Sequence, residues 1–432
     1  MNNNQNLVWV RITNSCNSKC IFCLDSSSLW RSTIPNSIIE ESIVKWFKIW
    51  SYNKIVISWW EASVHPEFFR YIAFAKNAWY KKIQTITNGQ MFSDEGFCKE
   101  AVWAWLQEIT FSMHGHTERL HDFLTWVPGS FKKALRGLLL IKKLFPAVIV
   151  NIDIVLNKVN IDFIPDMIRF YNKLWIFEFD LLQVTPFWRA YENKEVLFFN
   201  PKDKVEIYWQ IGELSKKQWM YIWTNRLNAE FLEWFEHLIQ SPDKLFSEVL
   251  WESRKDFEDF FSWKSQTLCP EDKCPNCFLE DFCMWIKNRK KISKFNLNNV
   301  AVLNNYINDI LPDANFVALR SEGSIDEIKA KFWSNWEKFK EFILKLELNK
   351  WQQLLNVPKC LREDNNQLHF ESFDDLNCDE NLESYSKIFV EQLYRKKSIR
   401  CSECFYYNSC QWLHINFIKA YWFKLFKPII KK

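Results

Sequence analysis

Leu7-Val8-Trp9-Val10-Arg11-Ile12-Thr13 runs straight into Asn14-Ser15-Cys16-Asn17-Ser18-Lys19-Cys20-Ile21-Phe22-Cys23. The first part is an apolar, β-branched run of strand length. The second is a polar loop presenting three thiols spaced C-x3-C-x2-C. Three thiolates this close can hold three corners of a cubane iron–sulfur cluster, leaving one iron open to another molecule. Zinc is the competing reading, but structural zinc takes four ligands, and this loop would need a distant fourth. The chain has 13 Cys and an Asn-rich start with no apolar secretory core. Both speak for a reducing, cytoplasmic setting rather than for disulfides.

Outward from that loop, strand-like segments recur at 54–58, 82–87, 108–113, 147–156 and 177–185. Amphipathic segments at 36–50, 66–79, 93–105, 131–145 and 163–174 separate them. Near-continuous apolar strands alternating with helices predict a parallel sheet with right-handed crossovers, covered on its faces. Barrels of this construction carry their active-site groups at the carboxyl ends of the strands. The cysteine loop, Glu61, Asn88, Ser112 and the turn at Pro186 all fall at such ends. The stretch 138–156 is broken by Lys142, Lys143, Asn151 and Asp153, so no transmembrane helix is predicted. A net charge of +4 neither demands nor excludes nucleic acid.

A strand, the C-x3-C-x2-C loop and a second strand ending at Trp59-Trp60-Glu61 together resemble the radical S-adenosylmethionine (SAM) superfamily. The resemblance implies an α/β fold, a partial (β/α)6 barrel over 1–200. It implies a [4Fe-4S] cluster on Cys16, Cys20 and Cys23, and SAM on the open iron, cleaved to a 5′-deoxyadenosyl radical. It places the Gly-Gly-Glu stretch of the family at Trp59, Trp60 and Glu61. It further puts Ser112, Asn157 and the Pro186-to-Ala190 turn with Trp188 around SAM. Asn151 and Asp153 share one face of the fifth strand. His114, His116 and His121 read as a structural or substrate-side loop. No residue is assigned as catalytic.

Tryptophan and glycine are out of proportion. The chain has 24 Trp and 7 Gly, where ordinary usage predicts roughly 30 Gly. Trp59, Trp60, Trp126 and Trp188 stand where the motifs and turns ask for glycine, which permits positive φ and close backbone approach. Some genetic codes assign UGA to glycine, and reading UGA as tryptophan would write this pattern.

Past the core, 201–265 reads as a helical linker or barrel closure and 291–355 as a helical insert. Between and after them lie a first cysteine module at 266–290 and a second at 356–432. Cys274, Cys277 and Cys283 share the spacing C-x2-C-x5-C with Cys401, Cys404 and Cys410. Cys269 and Cys360 stand upstream as possible fourth ligands. This mostly helical, cysteine-rich region resembles the SPASM or twitch extension, which implies one or two auxiliary iron–sulfur clusters. The usual fourth cysteine is missing in both copies. Lys287 and His414 occupy its place, and His414 is a candidate substitute ligand. Zinc ribbons are the alternative.

The resemblance implies a radical SAM enzyme fed by a reductant such as flavodoxin or ferredoxin, acting on a peptide, a protein or a small molecule. The alternatives are a radical SAM enzyme acting on tRNA or a cofactor precursor, and a non-catalytic iron–sulfur carrier or zinc-binding interaction protein.

Overall fold

The computed structural model describes residues 7–24, 34–50, 53–251, 254–261, 264–265, 271–288, 300–302, 316–319, 328–330, 335–346, 353–362, 367–368, 381–408, 410 and 412–430. The chain forms two compact units, Met1–Arg226 and Leu227–Lys432.

The first unit is a seven-stranded parallel sheet whose spatial order is its chain order. Its strands are β1 (Leu7–Arg11), β2 (Lys54–Ser58), β3 (Lys82–Thr87), β4 (Glu108–Ser112), β5 (Ile149–Leu156), β6 (Glu178–Gln183) and β7 (Tyr221–Asn225). The crossovers carry α1 (Asn36–Trp50), α2 (Phe68–Asn77), α3 (Glu95–Trp103), α4 (Glu118–Thr125), α5 (Ser130–Leu144) and α6 (Ile164–Lys173). One set of alternate strand positions is apolar and fully buried, as at Ile55, Ile57, Ile83, Ile109, Phe111, Ile152 and Phe179. The other set is polar. Gln84 donates to Thr110 across β3 and β4 at 2.7 Å. Lys54 pairs with Glu108 at 2.8 Å, and Asn151 donates to Glu108 at 3.3 Å. A sheet wrapped by helices on one face and polar on the other presents that polar face as a lumen.

Six strands were expected here, and the structure has seven. β7 lies inside a stretch read from sequence as helical. It is five residues long, and Tyr221 and Trp223 on it are exposed, so it lacks the apolar run that marked the others. Carboxylates close two of the helix starts. The Asp94 carboxylate accepts from the Phe97 amide at the start of α3. The Asp122 carboxylate accepts from the Ser130 hydroxyl and the Phe131 amide at the start of α5, both at 2.8 Å.

The second unit is largely helical, with helices at Asp243–Trp251, Arg254–Phe261, Glu280–Asn288, Trp336–Lys345, Leu382–Ile388 and Ile415–Tyr421. It also holds a parallel sheet of four short strands, β8 (Val300–Val302), β9 (Phe316–Ala318), β10 (Gln353–Leu355) and β11 (Gln367–Leu368), in the order β11-β10-β9-β8. An antiparallel pair, β12 (Arg395–Lys396) with β13 (Leu413–His414), completes it. Among the described residues no helix is long and apolar enough to cross a membrane.

Candidate functional site

The loop that follows β1 is tied down from three directions. Its Lys19 and Ile21 amides donate to the Thr125 and Leu124 carbonyls at the end of α4, both at 3.0 Å. The Glu61 amide, just past β2, donates to the Ser15 carbonyl at 3.1 Å. Asn88, just past β3, donates from its side chain to Asn17 at 2.6 Å and Ser18 at 3.2 Å, and lies 3.9 Å from the Cys16 sulfur. Ile21 and Phe22 are buried with Leu124, Val184, Ala190 and Leu197, and Cys20 packs against that cluster. The Asn193 amide group donates to the Ile21 carbonyl at 3.2 Å. The Pro186 turn thus reaches the cysteine loop through Ala190, and Trp188 stands exposed at the first position of its short helix.

Cys16 reaches solvent, and Cys20 and Cys23 are half-buried. The protein around it, then the Glu61 carboxylate and Cys23, push the Cys16 thiol up to about 12. Burial, then Cys16 and Cys23, hold the Cys20 thiol well above its ordinary value. Three neighbouring thiols that repel one another as thiolates suit a positively charged, multi-centre ligand, which would ionise all three together. Among the described residues no three or more His, Cys, Asp or Glu side chains are grouped so as to hold a metal ion. A cubane asks for something different, because each of its ligand sulfurs binds a different iron.

Glu61 is fully buried. One carboxylate oxygen accepts from the Ser63 amide and hydroxyl and from Thr87 at 2.7 Å; the other accepts from the Asn88 amide at 2.6 Å. Burial raises its pKa, and these hydrogen bonds oppose the rise. Its carboxylate therefore joins the ends of β2 and β3. Trp59 and Trp60 precede it with φ of 76° and 54°. The Arg11 guanidinium lies over the Trp59 ring at 4.7 Å. The Trp60 indole nitrogen is buried with no partner.

Ser112 ends β4 opposite Asp153 on β5. Asp153 in turn stands opposite Asp180 on β6. Burial, then Asp180, push the Asp153 carboxyl up to about 8, against the pull of Arg226 and a hydrogen bond with Ser112. One Asp153 oxygen is buried without a hydrogen-bond partner. Asn225 on β7 donates to Asp180 at 2.5 Å. The sequence reading did not join Asp180, Asn225 and Arg226 to the site. The alternation of Glu178 and Asp180 with Phe179 and Leu181 was a usable signal for a polar face on β6.

Asn157 lies just past β5, fully buried. Its side-chain nitrogen donates to the Val155 carbonyl at 2.9 Å, and its oxygen accepts from the Val159 amide at 3.0 Å. Of the three histidines, His114 and His121 act as backbone acceptors, and the buried His116 Nδ1 has no hydrogen-bond partner. His121 Nδ1 receives the His114 amide, and His114 Nδ1 receives the Val155 amide, both at 3.2 Å. Burial lowers the His121 pKa to about 4 and that of His114 well below its ordinary value, so both are neutral.

In the second unit, Cys360 feels the charge of the later trio. Burial, then Cys410, Cys401 and Cys404, push its thiol up to about 12. The Cys401 thiol is pushed up to about 11 by burial, with Cys410 and Cys404 adding to the rise. His414 stands apart from them as a ligand. Its Nε2 is 3.0 Å from the Val390 carbonyl, and its Nδ1 accepts from the Asn416 amide at 3.2 Å. Both ring nitrogens are engaged, which corrects the expectation that it could replace a fourth cysteine. The first trio places Cys274 and Cys277 one turn apart and Cys283 on the helix that follows. Cys269 and Cys378 lie outside the described residues. Cys98 is a packing thiol, buried and donating to the Phe92 carbonyl at 3.0 Å.

Residues 10–171 match the Radical SAM superfamily. An AdoMet-dependent heme synthase from Methanosarcina barkeri (strain Fusaro / DSM 804) is 24% identical over 222 residues, covering 50% of this chain and 60% of that protein. The chain thus spans less than two thirds of that relative's length. Two solved structures are similar over about half of this chain. SuiB of Streptococcus suis bound to the precursor peptide SuiA has a TM-score of 0.43 and 14% identity, over 55% of this chain and 52% of that one. Native anSMEcpe with bound AdoMet has a TM-score of 0.40 and 17% identity, over 56% of this chain and 66% of that one.

Proposed function

We propose that this chain, whose residues 10–171 match the Radical SAM superfamily, is a radical SAM enzyme that activates a peptide or protein substrate by hydrogen abstraction. The observation that carries this reading is the thiol trio, held by hydrogen bonds to α4 and to the ends of β2 and β3. Cys16, Cys20 and Cys23 would hold a [4Fe-4S] cluster. With SAM and an electron from a reductant such as flavodoxin or ferredoxin, that cluster supplies a 5′-deoxyadenosyl radical.

The chain's own residues do the rest. Glu61 fixes the backbone at 59 and 60, which offers its carbonyls and amides to a bound amino acid group. Ser112 offers a hydroxyl at the lumen end of β4. Asp153 and Asp180 stand in register with Ser112, and there Asp153 keeps a proton and can donate a hydrogen bond to a substrate. Cofactors of this kind carry the difficult chemistry, and the protein orients them and excludes side reactions. In the second unit, Cys360, Cys401, Cys404 and Cys410 would hold an auxiliary iron–sulfur cluster. Cys274, Cys277 and Cys283, with Cys269, would hold another.

The cysteine-rich second unit favours the peptide reading by its resemblance to the SPASM or twitch extension. The name of the curated relative favours a second reading, a cofactor precursor as substrate. Anaerobic reconstitution with iron and sulfide, then incubation with SAM and dithionite, tests the proposal. It expects 5′-deoxyadenosine from the parent chain and background levels from Cys16→Ser, Cys20→Ser and Cys23→Ser. Adding candidate peptides or tetrapyrroles then separates the two substrate classes by which one accelerates SAM consumption.

A further inference from the structure

Among the described residues thirteen other than glycine have positive φ, and eleven of them are tryptophan; Arg226 and Asn356 are the others. The left-handed region crowds any Cβ, and only glycine occupies it freely. Tryptophan is among the side chains least suited to it. The four tryptophans that motif reading had marked as glycine positions, Trp59, Trp60, Trp126 and Trp188, all belong to the eleven.

The local hydrogen bonds identify each position more closely. Behind α2 the Trp79 amide donates to the Lys76 carbonyl and the Tyr80 amide to the Ala75 carbonyl. Behind α3 the same pair of bonds runs from Trp105 to Val102 and from Leu106 to Ala101. Behind α6 it runs from Trp175 to Asn172 and from Ile176 to Tyr171. All three are Schellman endings with tryptophan at the left-handed position where glycine belongs. Trp234 follows Glu233 (φ −57°, ψ 133°) with φ of 79°, and the Phe235 amide closes on the Leu232 carbonyl. That is a type II turn, whose third residue is normally glycine. Trp219 holds the equivalent place in the turn closed by the Met220 amide on the Lys217 carbonyl. Trp422 has φ 68° and ψ 166°, a region that is essentially glycine's alone.

Side-chain environment agrees. Among the described residues none of the tryptophans is buried, although Phe and Tyr side chains fill both cores. Trp79, Trp175 and Trp219 are 77%, 72% and 66% exposed. An indole so placed buries little of its large apolar surface. The buried Trp60 and Trp412 indole nitrogens have no hydrogen-bond partner.

We propose that the protein as its own cell makes it carries glycine at Trp59, Trp60, Trp79, Trp105, Trp126, Trp175, Trp188, Trp219, Trp234, Trp412 and Trp422, each encoded by UGA and read there as glycine. The inference rests on backbone geometry and stands whether or not the proposed activity is correct. Its consequence for the site does rest on that activity: at 59 and 60 glycine leaves bare backbone where the printed chain puts two indoles.

The test is the gene and the natural protein. The expected result is UGA at the eleven positions, with peptides from the protein of the source cell weighing what glycine requires there. UGG codons, or peptides containing tryptophan, would overturn it. A second measurement uses two recombinant chains, one as printed and one with the eleven Trp→Gly changes. The glycine chain is expected to be the more soluble and to melt cooperatively at higher temperature. An equal or higher melting temperature for the printed chain contradicts the inference.

Discussion

Glu61 was read from the sequence as a pocket residue, and the structure shows how such a residue can matter without reaching a ligand. Its carboxylate collects donors from Ser63, Thr87 and Asn88 at full burial. Glu61→Ala removes the acceptor and strands those buried donors, at a cost of about 2–3 kcal/mol in urea unfolding. Asp153 gives a pH signature. Its folded value near 8 lies above the unfolded value of about 4. Stability from the retained proton is therefore complete below about pH 4 and declines as pH rises towards 8. Asp153→Asn cannot ionise, so its unfolding free energy should fall less than that of the parent between about pH 5 and pH 8, by more than about 1 kcal/mol. Equal pH slopes for the two chains would contradict the assignment. The glycine-like role of Trp59 and Trp188 was legible because motifs carry position. The Asp153–Asp180 pair was not, because only strand register decides which carboxylates meet.

Elements were legible where hydrophobic periodicity was long. β2, β3 and α1 have the bounds read from sequence, since each is a clean run flanked by breakers. β7 escaped because its exposed Tyr221 and Trp223 give no apolar run. β8 to β11 escaped because two or three residues are too few to show a period. Helix ends carried a signal that residue identity concealed: the tryptophans at 79, 105 and 175 sit where a glycine stop is standard. Relieving one left-handed tryptophan should therefore stabilise. Trp175→Gly is expected to gain about 1 kcal/mol, read by urea unfolding, whereas Trp209→Gly, midway along the helix Val205–Ser215, should lose about 0.5 kcal/mol. The opposite signs separate backbone strain from a general effect of removing indoles.

At the scale of the whole molecule, the parallel sheet places the Cys16 loop, Glu61, Asn88 and Ser112 at the carboxyl ends of β1 to β4 in the order the sequence lists them. The second unit was less legible, because a cysteine spacing says which residues can share a ligand but not which pairings the fold completes. The auxiliary cluster proposed on Cys360, Cys401, Cys404 and Cys410 would be a metal centre separate from the first. Ser substitution of Cys401 and Cys404 together should lower iron and sulfide content by about one cluster while leaving the absorbance of the first cluster in place. Loss of all iron would instead tie the two centres together.

The central claim is that Cys16, Cys20 and Cys23 support reductive cleavage of SAM. The direct measurement is chromatographic detection of 5′-deoxyadenosine from the reconstituted, dithionite-reduced chain with glycine at the eleven left-handed positions. The account predicts its formation with SAM and its disappearance when any one of the three thiols becomes serine. A chain that binds iron and sulfide at this loop yet releases no 5′-deoxyadenosine, or one that holds a single zinc there, would contradict it.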